Sequence, residues 1–347
     1  MKYSLFTPAL ATVLALSPFI AARAQNTASA PAAQPAATQP SDIAHAAEQF
    51  LATLNDTQRH QVVYDFQDKA QRQRWSNLPT SFVKRGGLRF GDLTKPQQDA
   101  ALAVLAAALS PQGYEKVLQI VQADETLKQS SGKDLFGRDN YYISFLGQPS
   151  VSQPWIIQFG GHHLGLNITL AGEQGTLAPS HTGVQPATYE FEGKTIRPLG
   201  RETDKAFALI SSLDDKQRQQ AIIGSQMRDL VLGPGHDGQM IQPEGVKGSA
   251  LNEQQRAMLL DLVSEWIGIQ RESVAKSKMD DVHKNIADTW FAWSGPTEKG
   301  AAAYFRIQGP TVFIEYAPQR LGGDPTNHLH TIYRDPTNEY GVQWWQK

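Results

Sequence analysis

The sequence predicts an α+β fold, with helical segments packed on a mostly antiparallel β-sheet in one large domain. Three observations carry this expectation. Helical and extended segments are segregated, in the order helices, strands, helices, strands. Tight Gly and Pro turns join successive extended runs, which favours antiparallel neighbours. The chain also lacks a Gly-rich nucleotide fingerprint, a Walker loop and a Gly-x-Ser-x-Gly elbow, the marks of several doubly wound α/β enzymes.

Taken in order, the chain opens on Lys2 and an apolar stretch from Leu5 to Ala21, broken by Pro8 and Pro18. It ends in Ala22-Arg23-Ala24, a small-x-small cleavage pattern. Residues 1–24 therefore read as a cleavable signal peptide, with Gln25 as the mature start and a periplasmic or secreted destination. Residues 25–41 are Ala, Pro, Gln, Asn, Thr and Ser without charge. Such a tract buries too little apolar surface to offset its ordering entropy and reads as a disordered linker. Residues 42–347 form the domain, and no later stretch reaches the roughly 18 consecutive apolar residues of a membrane span.

One short pattern recurs four times: Leu54-Asn55-Asp56-Thr57-Gln58, Leu93-Thr94-Lys95-Pro96-Gln97, Leu213-Asp214-Asp215-Lys216-Gln217 and Leu251-Asn252-Glu253-Gln254-Gln255. Asn55, Thr94, Asp214 and Asn252 are N-caps in these copies, and the Gln three residues on can reach back to the cap's N–H. Helical periodicity follows over 43–67, 95–109, 111–127, 202–225 with a break at Asp214, and 252–275. The stretch Ala100–Leu109 is apolar all round, which predicts a buried helix. Extended runs cover 141–146, 155–159, 164–170, an edge segment at 189–192, and then 289–293, 302–308, 312–316 and 328–333. Between the second and third runs the inside–outside alternation changes phase at Gly160-Gly161, as a type I′ turn or a β-bulge would do.

Composition narrows the chemistry. Cysteine is absent, which excludes disulfides, thiolate ligands and a cysteine nucleophile. Lys and Arg total 32 against 34 Asp and Glu, with no basic tract long enough for a nucleic-acid footprint. A metal site would have to be built from His, Asp, Glu and backbone oxygens.

Two dense pairs hold four of the nine histidines: Gly160-Gly161-His162-His163 and Asn327-His328-Leu329-His330. Imidazole is the commonest protein metal ligand. On a strand, His328 and His330 point to one face. The phase change puts His162 on the apolar side and His163 on the polar side. His163, His328 and His330, with His162 as an alternate, are the candidate ligands for a divalent ion, and three imidazoles with an open position suit Zn or Cu. Glu315 and Asp335 are the candidate orienters and general bases. Zn would favour hydrolysis, and Cu oxidative chemistry or copper handling. The alternative is a metal-free periplasmic module that binds a small molecule or peptide in an aromatic-lined pocket of Trp155, Trp290 and Trp293. The loop Gly233-Pro234-Gly235-His236-Asp237-Gly238 reads as a flexible connection, and His45, His60, His181 and His283 have no titratable partner pattern.

Four stretches resemble an uncharacterised bacterial family, domain of unknown function 3500 (DUF3500). They are Arg85-Gly86-Gly87-Leu88 with Gly91-Asp92-Leu93-Thr94, the segment Gly161–Asn167, the tract Phe291–Gly295, and Ile314-Glu315-Tyr316 leading to Asn327–Pro336. The resemblance implies that most of the mature chain is one unit, and it implies no activity.

Overall fold

A computed structural model describes residues 39–345. The expected signal peptide and all but the last three residues of the expected linker lie outside the described residues. Those last three are not linker, because the first helix already begins at Pro40.

The chain builds a similar succession of elements twice, with one short helix and one short strand present in the first pass only. The first pass comprises α1 (Pro40–Ala52), α2 (Asp56–Val62), β1 (Val63–Tyr64), α3 (Lys69–Arg72), β2 (Leu88–Arg89), α4 (Lys95–Ala108), α5 (Pro111–Ser131), β3 (Tyr142–Leu146), β4 (Trp155–Gly160), β5 (Leu164–Ala171), β6 (Gln174–Thr176) and β7 (Ser180–Val184). A separate hairpin follows, β8 (Tyr189–Phe191) and β9 (Lys194–Ile196). The second pass comprises α6 (Gly200–Ser212), α7 (Asp215–Ala221), β10 (Ile222–Gly224), β11 (Val246–Lys247), α8 (Glu253–Ile267), α9 (Glu272–Lys284), β12 (Trp290–Ser294), β13 (Tyr304–Gln308), β14 (Phe313–Pro318) and β15 (Leu329–Arg334).

The strand order reads the same from either end of the sheet: β1-β3-β4-β5-β7-β15-β14-β13-β12-β10. Each outermost strand is parallel to its neighbour, β1 to β3 and β10 to β12, while the strands between them pair antiparallel. The register repeats too. Gly160 pairs with Gly165 across one turn and Gln308 with Phe313 across the other. Gly161 N–H donates to Leu164 O at 2.9 Å, and Gly309 N–H to Val312 O at 2.7 Å. The two passes meet where β7 pairs antiparallel with β15, from Ser180↔Tyr333 to Val184↔Leu329. The chain thus repeats one strand order and register in two passes, a duplication of topology, joined into one mixed, mostly antiparallel sheet with helices, an α+β domain.

The four recurring motifs explain how the helices of each pass are held. Helices α2, α4, α7 and α8 begin one residue after Asn55, Thr94, Asp214 and Asn252, each with a capping box. The Gln side chains then lock in pairs. Gln97 Nε2 donates to Gln58 Oε1 (3.1 Å) and Thr53 O (3.0 Å), and Gln255 Nε2 donates to Gln217 Oε1 (2.8 Å) and Ser212 O (2.9 Å). Each Gln therefore caps its own helix and ties it to the next one. Gln255 is buried, so Gln255→Ala leaves a cap N–H and the part-buried Ser212 carbonyl unpaired. The expected cost is about 2 kcal/mol, read from the urea unfolding midpoint. A loss under about 0.5 kcal/mol would mean that the clamp is ornamental.

Several expectations change at this level. The periodic run at 43–67 breaks at Thr53–Asn55, and the run at 252–275 stops at Ile267 before α9 begins. Helix α4 is only half buried: Ala101, Val104, Leu105 and Ala108 face the core while Ala103 and Ala106 are exposed. A methyl group exposes little apolar surface, and Ala is the strongest helix former. Strand β7, at the centre of the sheet, has no counterpart in the expected list.

Candidate metal centre

The turn between β4 and β5 places the first histidine pair. Its tip is His162-His163 rather than Gly160-Gly161, and neither glycine has a positive φ. The glycines are there for space. A Cβ on Gly160 would lie 2.3 Å from Leu164 O, and one on Gly161 would lie 3.0 Å from the Tyr141 ring. Arg85 fixes the turn from outside, its Nη2 reaching Gly161 O (2.9 Å) and Ser76 O (2.8 Å). Both histidines are buried, so the division into an apolar and a polar side does not hold.

The second pair enters on β15, with His328 immediately before the strand and His330 within it. Because β15 pairs with β7 and β7 with β5, the strand pairing carries this pair to the β4–β5 turn. The gap between the two motifs closes: His163 Nε2 lies 3.1 Å from His328 Nε2, which lies 3.0 Å from His330 Nε2. His162, His163 and His328 form a buried group whose ligand atoms lie within 4.8 Å of one another, a group able to hold a metal ion. His163 and His328 are common to both sets. His162 flanks them, its ring against His163 (centroids 3.7 Å apart) and Phe136 (5.0 Å).

Proton counting shows which ring nitrogens are free to face an ion. His163 Nδ1 lies 2.6 Å from Asp124 Oδ1, and His328 Nδ1 lies 2.6 Å from Leu321 O. A carbonyl oxygen only accepts, so Nδ1 of His328 carries its proton, and the carboxylate assigns His163 the same tautomer. Each neutral imidazole has one N–H. The two Nε2 atoms that face each other at 3.1 Å are therefore both lone pairs. Two nitrogens held at about 2.0–2.1 Å by one tetrahedral ion lie roughly 3.3 Å apart. Asn77 Nδ2 donates to His330 Nδ1 at 3.2 Å, which leaves the proton of a neutral His330 on Nε2, facing His328. His330 must therefore exchange tautomer before that atom can hold an ion. His162 Nδ1 is buried with no hydrogen-bond partner.

Burial sets the charges. It pushes His163 and His181 down to about 3, and it lowers His328 and His330 as well. Burial alone would raise the Asp124 carboxyl, but His163 and His162 hold it well below the ordinary carboxylate range. Tyr141 Oη donates to its other oxygen at 2.7 Å. The folded protein thus keeps His163 and His181 neutral where the unfolded chain, titrating near 6.5, takes up protons. Stability of metal-stripped protein must fall as pH drops below 6.5. The expected loss is about 1.5 kcal/mol per histidine by pH 5, read as a falling Tm, and a flat Tm between pH 7 and 5 contradicts it.

The carboxylates expected to serve these histidines are engaged elsewhere. Glu315 accepts from Val231 N (2.9 Å), Leu232 N (2.8 Å) and Tyr304 Oη (2.7 Å), anchoring the loop after β10. Asp335 pairs with Lys278 and accepts from Thr337. Asp124 on α5 takes the orienting place instead. It lies on the buried stripe Val117, Ile120, Asp124, and an acid on such a stripe was the available sequence signal. His181, set aside for want of a partner, is fully buried beside His330, with ring centroids 5.1 Å apart. Trp155 and Trp293 are packed in the core. The Gly233–Gly238 loop is pinned, with Arg334 donating to Leu232 O and Gly233 O at 2.8 Å and Tyr340 Oη to Asp237 at 3.0 Å.

A cavity of about 780 Å³ opens on the cluster, with His162, His328 and His330 in its wall. None of Trp155, Trp290 and Trp293 lines it.

Residues 36–342 match the family described as "Protein of unknown function (DUF3500)". The chain belongs to that family. No curated protein and no solved structure matches the chain. Among the described residues, no helix of this DUF3500 protein is long and apolar enough to cross a membrane.

Proposed function

We propose that this protein is an exported metalloenzyme whose centre is held by His163, His328 and His330, with His162 beside them. The observation that carries the reading is the pair of Nε2 lone pairs 3.1 Å apart, each turned inward because its Nδ1 is spent on a fixed acceptor. An all-imidazole donor set suits Zn or Cu. Such an ion supplies Lewis acidity for hydrolysis or redox chemistry for oxidation. The protein's own part is orientation. Asp124 and Leu321 O fix the His163 and His328 rings with Nε2 inward, burial keeps them neutral, and the cavity beside His162, His328 and His330 has room for a small-molecule or peptide substrate.

The same cavity supports a second reading, a metal-free binding module in which the histidines hydrogen-bond a polar ligand. Titration of protein purified without a histidine tag separates the two. One equivalent of Zn or Cu bound per chain is expected. Uptake of neither ion moves the binding module to first place.

A further inference from the structure

The wall of the histidine cavity is divided by chemistry. Leu78, Phe82, Leu127, Phe136, Met227 and Leu321 line it, and three of these are unusually exposed for their type: Leu78 at 46%, Phe82 at 74% and Leu321 at 81%. Single exposed apolar side chains are ordinary. Three that converge on one cavity form a patch of the kind that marks ligand grooves. Around them stand Lys133, Arg228 and Arg320, all exposed. The acid among the lining residues is Asp229, and it already accepts from Gln319 Nε2 at 2.9 Å. Arg228 spends one N–H on Ile223 O, and a guanidinium has four more to offer.

We infer that the ligand of this cavity is an anionic amphiphile: an acyl or aryl body that covers the apolar wall, with a carboxylate-like or sulfonate-like group among Lys133, Arg228 and Arg320. The volume of about 780 Å³ suits a body of that size, since small-molecule sites span about 300–1,000 Å³. A carbohydrate would leave the apolar wall unfilled, and a neutral lipid would make no use of the three cations. The polar group of the ligand that reaches His162, His328 and His330 would be the part that reacts. That assignment rests on the metal-centre reading, whereas binding itself does not.

Fluorescence titration with anilinonaphthalene sulfonate tests the inference, with phenylnaphthylamine as the matching aryl body without the anion. The native protein, its near-UV CD recorded alongside, should bind the sulfonate saturably at one site and the neutral probe about tenfold more weakly or worse. The pair Phe82→Ser and Leu321→Ser removes exposed apolar side chains without adding charge and leaves the core alone. It should weaken the sulfonate by about tenfold or more. The pair Arg228→Glu and Arg320→Glu should weaken the sulfonate alone and so abolish the preference between the probes. Equal affinity for both probes in the native protein, or sulfonate binding untouched by the Phe82 and Leu321 changes, overturns the proposal. The metal titration is scored separately. Expected probe behaviour without metal uptake removes the metalloenzyme and leaves this ligand class, and metal uptake with failed probes does the reverse.

Discussion

Alanine at both His328 and His330 is expected to abolish stoichiometric metal uptake while leaving the far-UV CD spectrum largely intact. The two side chains supply two of the three Nε2 atoms, so the double variant leaves His163 with His162 alone. A structural Zn site contributes about 10–16 kcal/mol of apparent binding free energy. The loss of two of three ligands therefore takes the affinity out of the measurable range. The fold should survive, because β15 keeps its backbone pairing to β7 and β14, and its core contacts through Leu329 and Tyr333 remain. Retention of one equivalent of metal by the double variant would place the ion elsewhere and sink the centre.

Asp124→Asn is expected to weaken metal binding by about 10–100-fold, the usual price of losing a group that orients a ligand. The substitution preserves volume but replaces a charged acceptor with an amide. Both carboxylate oxygens are in use, one facing His163 Nδ1 at 2.6 Å and the other accepting from Tyr141 Oη at 2.7 Å. An amide has one oxygen for two donors, so its N–H₂ must face either the tyrosine or the imidazole. In the second case His163 flips tautomer, Nε2 acquires the proton, and the lone pair aimed at the ion is gone. Calorimetric titration reads the affinity. An unchanged Kd would show that His163 is no ligand, or that its orientation is set by packing alone.

The parts of the fold that were legible in the sequence are those with a local cause. All four caps appear where Leu54, Leu93, Leu213 and Leu251 announce them, because a capping box is written within four residues. The strands around the histidines follow from alternation and Gly/Pro turns. Strand β7 does not, because its five residues, Ser180-His181-Thr182-Gly183-Val184, lie between Pro179 and Pro186 and carry little of the β-branched signal. The duplication was visible only as four caps, since its evidence is register, and register is a long-range property. The histidine pairs were legible as a centre because they are dense. The carboxylate that serves them was not, because Asp124 joins them only through packing of α5 against the sheet and stands in no motif with them. Glu315 drew attention for the right reason, being an acid in an apolar run, but its need for partners is met by the backbone N–H groups of Val231 and Leu232.

The repeated register has a mechanical consequence. The turn Gly161-His162-His163-Leu164 has its mirror in Gly309-Pro310-Thr311-Val312, which carries the same hydrogen bond and no imidazole. Each pass of the chain thus owns a corner of this shape, yet only one corner is furnished with ligands, and those ligands come from both passes: His162 and His163 from the first, His328 and His330 from the second. Neither half contains the set. An ion at that corner would act as a rivet across the seam between β7 and β15, and prying the halves apart would mean first giving up the ion. Metal occupancy would then set how firmly the two passes of the chain hold each other along that seam.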